Sequence, residues 1–366
     1  MIRRRFTFSR RAVLMATLGA ALAGMATAQG DAPTLAAPYY SAEQAMQGLY
    51  THHLPPLARD FKTQAERLVD TAQQHCTGQV PLDALRKQWQ VALLSWETLS
   101  APAVGPLLTR RSQRQIDFWP TRPPLLRRSM EKAPTTLADM ERVGTPAKGF
   151  PALELLLNQW RAASQPVPKE ACRYAELVAQ GIAHEARELN TALAAEANKD
   201  WTDSPEDTKS ALAEWVNQWL GGLERLRWAH IEKPITTHRT TGKSDKGEPI
   251  PFARLDRDTA LSDWHAQWQS LLAQARLSPG APPPAAGQAL VPMEALLMGR
   301  GHLDLAQRWG QALDQVTTGL NRLTPRSGED ELLGVAQTMK AATVLFQNEV
   351  ATALDVPLGF SDADGD

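Results

Sequence analysis

The sequence predicts an all-α protein, and three observations carry that prediction. Apolar residues recur at helical spacing over several turns in more than one segment. No stretch sustains the period-two alternation of a half-buried strand. The composition, with four Tyr against eleven Trp and abundant Ala, Leu, Gln and Glu, favours helix over sheet.

The elements follow in chain order. Residues 1–28 read as a signal peptide: Arg3, Arg4, Arg5, Arg10 and Arg11 with no acid, an apolar run from Ala12 to Met25, and a small-x-small site at Ala26-Thr27-Ala28. The apolar run is too short to span a membrane. Ser9-Arg10-Arg11-Ala12-Val13-Leu14 also resembles a twin-arginine export signal. The expected destination is the periplasm, with no transmembrane segment in the mature chain. Ser41-Ala42-Glu43-Gln44 reads as a capping box opening a helix to about His75. Pro81 starts a second, with Leu85, Trp89, Ala92, Leu93 and Trp96 on one stripe.

Residues 100–132 break the pattern with several prolines and seven cations (Arg110, Arg111, Arg114, Arg122, Arg127, Arg128, Lys132) against Asp117 and Glu131. Ile116, Phe118 and Trp119 argue that this irregular segment is ordered, and such a segment inside a helical protein points to function. Ser204-Pro205-Glu206-Asp207 is a strong helix start, followed by the stripe Leu212, Trp215, Val216, Trp219, Leu223 and Leu226. Residues 236–254 read as an exposed connection and 278–287 as a Pro-rich linker. Ser327-Gly328-Glu329-Asp330 opens the last helix. The Trp pairs at 89/96, 215/219 and 264/268 read as core filling. Pro151-Ala152-Leu153-Glu154 is faintly echoed by Pro292-Met293-Glu294, which fits two related halves.

Removing residues 1–28 takes away five arginines and no acid, so the formal charge moves from −1 to −6. An acidic mature chain is a poor nucleic-acid binder. Its length exceeds one ordinary core, so two helical domains are expected, at 38–200 and 201–366. Cys76 and Cys172 are a disulfide candidate in an oxidising compartment, the alternative being two unrelated buried thiols.

The familiar catalytic patterns are missing: there is no H-E-x-x-H, H-x-x-E, G-x-S-x-G, phosphate-binding Gly loop or Cys-x-x-Cys. A zinc site would have to be assembled from distant histidines. The most pointed local feature is Gly149-Phe150-Pro151-Ala152-Leu153-Glu154, where Glu154 sits near a helix start whose dipole is expected to keep it ionised and facing a cavity. The plainer reading makes it an ordinary helix stabiliser. Asp362, Asp364 and Asp366 alternate like calcium ligands, but the run is too short for an EF-hand loop and reads as a solvated tail.

Arg114-Gln115-Ile116-Asp117-Phe118-Trp119-Pro120, then Gly149-Phe150-Pro151-Ala152-Leu153-Glu154-Leu155-Leu156, resembles the imelysin-like family, also called the insulin-cleaving membrane protease family. Gly222-Leu223-Glu224-Arg225-Leu226, Lys233-Pro234, the ending Leu358–Asp366 and the cysteine positions extend the likeness over residues 40–366. The resemblance implies two helical bundles related by duplication, a site in the cleft between them, a periplasmic location and a link to bacterial iron uptake. The family signature G-x-H-x-x-E, whose His and Glu are proposed metal ligands of a peptidase, is matched by Gly149 and Glu154, but Pro151 stands at the His position. A lone carboxylate is not a zinc site, so a non-catalytic protein is the expectation, with a zinc metallopeptidase and an envelope adaptor as alternatives. The expected ligand-binding residues are Arg114, Asp117, Trp119, Gly149 and Glu154, with Glu154 the sole candidate metal ligand. Iron, haem and zinc are compatible cofactors and none is required. The expected partner is a small ligand or an envelope protein of iron acquisition. In the bland alternative, Arg114, Asp117 and Glu154 form a polar network that fastens the loop to the bundle.

Overall fold

Ser41 starts the first helix by accepting the Gln44 N–H while the Gln44 side chain accepts the Ser41 N–H, the reciprocal pair of a capping box. The structure, a computed structural model, describes residues 37–163, 167–242 and 248–359. The signal-peptide segment and the terminal acids lie outside the described residues. Helix α1 (Ala42–Gln47) passes through a π-helical turn (Gly48–His53) into α2 (Leu54–Cys76). Pro55 and Pro56 offer no N–H to the preceding turn, and the Leu54 N–H bonds the Leu49 carbonyl, so the rod changes register there. The single helix expected over 41–75 is therefore one rod with a π interruption.

Helix α3 (Leu82–Ser100) buries the predicted stripe from Leu85 to Trp96. Where an irregular segment was expected at 100–132, the chain forms three short helices, α4 (Pro106–Thr109), α5 (Ser112–Ile116) and α6 (Pro123–Glu131). After α7 (Leu137–Glu141) come α8 (Gly149–Ala162) and the long α9 (Lys169–Ala197). Helices α2, α3, α8 and α9 pack on one another. The Cys76–Cys172 disulfide, with a Cα–Cα distance of 5.7 Å, ties the end of α2 to the start of α9.

Ser204 caps α10 (Pro205–Glu224) through the Asp207 N–H, as its sequence predicts. A second π-helical segment (Arg225–Glu232) leads into α11 (Lys233–Thr240). The stretch 236–254, read as an exposed connection, departs from that reading at its two ends, and 243–247 lie outside the described residues. Helix α11 runs on to Thr240, and Phe252, Ala253 and Arg254 are buried. Helices α12 (Arg257–Ala275), α13 (Met293–Gly299), α14 (Leu303–Arg322) and α15 (Glu329–Leu345) follow, and α15 runs through a π turn into the short α16 (Ala351–Ala353). Residues 278–287 between α12 and α13 carry no helix, in line with a Pro-rich linker. The described residues include no strand.

Helix α12 packs against α3, α10 and α14. One continuous cluster of buried apolar side chains runs from Tyr40 to Val356 and takes in all three Trp pairs. Through this core, α12 carries a buried polar stripe at helical spacing: Asp263, Gln267, Ser270 and Gln274, none above 3 % exposed. A buried polar group is tolerated only when its hydrogen bonds are met. Here Ser270 donates to the Thr98 carbonyl of α3 at 2.7 Å, and Gln274 accepts Trp215 Nε1–H from α10 at 2.7 Å. The upper end of this stripe builds the candidate site.

Candidate functional site

Arg254, only 3 % exposed, sits at the seam of α3 and α12. Its Nη1 donates to Asp117 Oδ1 at 2.7 Å and its Nη2 to Asp117 Oδ2 at 2.9 Å, a fork-on-carboxylate arrangement. Nη2 also donates to Glu97 Oε1 at 2.6 Å, and Nε to Asp263 Oδ2 at 2.9 Å. One guanidinium therefore holds three buried carboxyls from α3, the α5 end and α12. Trp96 Nε1–H reaches Asp117 Oδ2 at 3.3 Å, and Gln267 bridges Asp263 Oδ1 to His230 Nδ1. Arg225 adds a second cation nearby, donating to Gln113 Oε1.

Three carboxyls this close cannot all ionise without opposing one another in a low-dielectric setting. Burial, with the charges of Asp263 and Asp117, pushes Glu97 well above the ordinary carboxylate value, and its hydrogen bond to Asp117 acts in the same direction. Burial also acts to raise Asp117, but the Arg254 charge and hydrogen bond outweigh it and hold Asp117 below its ordinary value. Desolvation pushes the His230 imidazole down to about 4, so it is neutral at physiological pH.

Glu154 lies beside this cluster and is 6 % exposed. Its Oε1 accepts the Leu255 N–H at 2.8 Å, so the residue after Arg254 is pinned to α8. It also lines an open cleft of about 230 Å³, together with Asp83, Arg86, Gln90, Asn158 and Asp258. Burial raises Glu154 to about 7, against the opposing pull of Arg254 and the Leu255 N–H. Burial opposes the helix dipole expected to keep this carboxylate ionised. Helix α8 begins at Gly149, so Glu154 lies past the first turn, where the dipole fades and desolvation dominates.

Gly149 fixes the distance between the two parts of the site. It has φ +71°, and a Cβ there would lie 2.1 Å from the Ile116 carbonyl oxygen. Only glycine permits α8 to start this close to the backbone that presents Asp117. Asp117 and Glu154 thus belong to one neighbourhood, as the sequence suggested.

Arg114 and Trp119 do not join it. On the short α5, Ser112 and Ile116 face inward four residues apart, which turns Arg114 outward, and it is exposed. Trp119 is 37 % exposed. The guanidinium beside Asp117 is that of Arg254, whose donors are taken up by protein carboxylates. Glu97, Asp263, Arg225, His230 and Gln267 had no part in the sequence-level site either. One signal was available: Glu97 and Asp263 are acids on faces otherwise read as core.

The donor set does not suit zinc. Pro151 occupies the motif His position, and Glu97, Asp117 and Asp263 are engaged by Arg254. Among the described residues no three His, Cys, Asp or Glu side chains gather where they could hold a metal ion. What Glu154 can do is accept a donor, hold a cation or carry a proton near neutrality.

A helical protein with a buried arginine–carboxylate centre beneath a G-x-x-x-x-E helix start is the class defined by this geometry. The imelysin family model matches residues 53–356, and the chain belongs to that family. No curated protein matches the chain. Among solved structures, an imelysin-like protein from Psychrobacter arcticum superposes with a TM-score of 0.66 at 18% identity, covering 88% of this chain and 99% of that one. A protein from Parabacteroides distasonis, described as a candidate iron-regulated protein A precursor, gives a TM-score of 0.69 at 15% identity over 88% and 96% of the two chains. At these identities the likeness establishes the shared fold.

Proposed function

We propose that this chain is a non-catalytic periplasmic binding protein of iron acquisition that holds a small polar ligand in the cleft at Glu154. The observation that carries the reading is a single buried carboxylate lining an open cleft, while its neighbouring carboxyls are already satisfied by Arg254. A carboxylate accepts at both oxygens, so one that lines a cleft can take a ligand donor without giving up its bond to the fold. Glu154 makes one such bond, to Leu255. The periplasmic setting is supported by the basic and apolar N-terminal segment and by the disulfide. The iron context is supported by the description of the Parabacteroides protein.

The division into halves at 38–200 and 201–366 belongs to this proposal. In it, Glu97, Asp117 and Glu154 come from the first half and Arg254 and Asp263 from the second, so a ligand at Glu154 would be felt by both. An adaptor role finds support in the exposed side chains of Arg111, Arg114, Arg122, Arg127 and Arg128, a cationic run in an otherwise acidic chain and suited to an acidic partner.

The test is growth under iron limitation. A deletion strain should grow poorly, the wild-type gene should restore growth, and a correctly folded Glu154→Ala protein should not. Full rescue by Glu154→Ala removes the binding reading. Stoichiometric zinc with chelator-sensitive proteolysis replaces it with the peptidase.

A further inference from the structure

The chain contains a second copy of the Glu154 arrangement, and in that copy the carboxylate already has its full set of partners. Glu294, like Glu154, follows a proline near the start of its helix and is 6 % exposed. Glu294 Oε2 accepts the Leu277 N–H at 2.7 Å, as Glu154 Oε1 accepts the Leu255 N–H at 2.8 Å. Each leucine directly follows an arginine, Arg276 or Arg254. The two arginines then diverge. Arg276 folds back onto Glu294, donating from Nη1 to both carboxylate oxygens at 2.5 and 2.7 Å, and its other nitrogens reach Asp314 of α14. Gly310 makes room for this, since a Cβ there would lie 2.9 Å from Arg276 Cζ. Arg254 instead turns inward to Asp117, Glu97 and Asp263. Glu154 Oε2 meets no hydrogen-bond donor of the described residues and lines the cleft.

We infer that the Glu154 cleft recognises a guanidinium or primary ammonium group, which would take at Glu154 the place that the Arg276 side chain takes at Glu294. The charges of the cleft agree. Its lining has four carboxylates, Asp83, Glu154, Asp256 and Asp258, against two cations, Arg86 and Lys87. In the second copy a flanking carboxylate, Asp314, completes the guanidinium cradle, and at the first, Asp258 at the start of α12 lines the same cleft as Glu154 and can flank a bound cation. Charge-assisted bonds to a desolvated carboxylate are strong enough to select a cation over a neutral isostere.

This inference rests on the ligand-binding reading, and one titration separates the two. The mature, disulfide-bonded protein is titrated calorimetrically at mildly alkaline pH with agmatine, with the peptide Gly-Arg-Gly and with citrate. Agmatine, the peptide or both should bind one to one, and which of them binds tells a free small guanidinium compound from an arginine side chain within a peptide. Glu154→Gln should weaken that binding by roughly tenfold or more, the loss of a charge-assisted bond. Asp258→Asn, an exposed change that leaves the fold intact, should weaken it severalfold, and Glu294→Gln should leave it unchanged. Binding of citrate alone, lost in Arg86→Ala, overturns the cation assignment but keeps a ligand-binding cleft. Failure of all three probes, with melting unchanged, overturns the cation assignment as well.

Discussion

At the scale of single residues, the site is a problem of charge in a dry place. Glu154 titrates near 7 in the folded protein and near 4.5 as an ordinary carboxyl. Between those values the folded chain binds more protons than the unfolded one, so stability falls as pH rises through this window and then levels off. The shift corresponds to about 3 kcal/mol at most. Glu154→Gln keeps an acceptor for the Leu255 N–H and removes the ionisation. Its melting temperature should exceed that of the wild type above neutrality, and the difference should vanish towards pH 4.5. Equal melting curves across the range would show that the carboxylate is solvated in the folded state. Arg254 is the opposite case. Replacing it with Met leaves Asp117, Glu97 and Asp263 buried without their common cation, a loss of roughly 3–5 kcal/mol in chemical denaturation. Asp117 and Glu154 could be picked out from the sequence because each sits in a distinctive local motif. Arg254 could not, because its neighbours, a Gly- and Pro-containing polar stretch, are those of a surface loop. What buries it is the set of carboxyls waiting for it on α3, α5 and α12, and no local pattern announces a partner 137 residues away.

At the scale of elements, helix starts were the most legible features, because capping and proline chemistry act within a few residues. Ser41 and Ser204 cap the helices expected of them. The apolar stripe of α3 was legible for the same reason of locality. The short helices α4 and α6 were obscured by prolines that begin a turn rather than ending one, Pro106 and Pro123. The polar stripe of α12 blurs its amphipathic pattern, since Asp263 and Gln267 lie on the face that periodicity assigns to core. The junction of α5 and α8 offers the sharpest test of how elements set the site. Gly149→Ala places a methyl group on the Ile116 carbonyl and forces a side-chain-bearing residue to φ +71°. A destabilisation of about 2 kcal/mol or more is expected from strain and overlap together. Because the overlap is relieved by moving α8 away from Asp117, affinity for the proposed ligand at Glu154 should fall further than in a cavity variant of equal stability elsewhere, such as Leu313→Ala. Equal affinities in the two variants would show that the close approach supports the fold without tuning the site.

At the scale of the whole molecule, the disulfide and the site are linked by topology. The loop closed by Cys76 and Cys172, separated by 96 residues, contains Glu97, Asp117, Gly149 and Glu154, whereas Arg254 and Asp263 lie outside it. The covalent tie thus limits the freedom of the segment that presents two carboxyls, Glu97 and Asp117, to a guanidinium from elsewhere in the chain. In the chain-entropy picture, closing a loop of this length stabilises the fold by about 4–5 kcal/mol, most of it by restricting the unfolded chain. A Cys76→Ser, Cys172→Ser double variant should therefore lose close to that amount in urea, with a modestly steeper dependence on denaturant because its unfolded state is more expanded. Native α2–α9 packing is extensive and does not depend on the bond, so the variant should still fold, and its helical circular dichroism should match the wild type in the absence of urea. The informative comparison is reduction of the wild type under native conditions. If the tie acts chiefly on the unfolded state, affinity for the proposed ligand at Glu154 stays the same while stability drops. An affinity that falls in step with stability would instead show that the bond holds α8 in place within the folded protein.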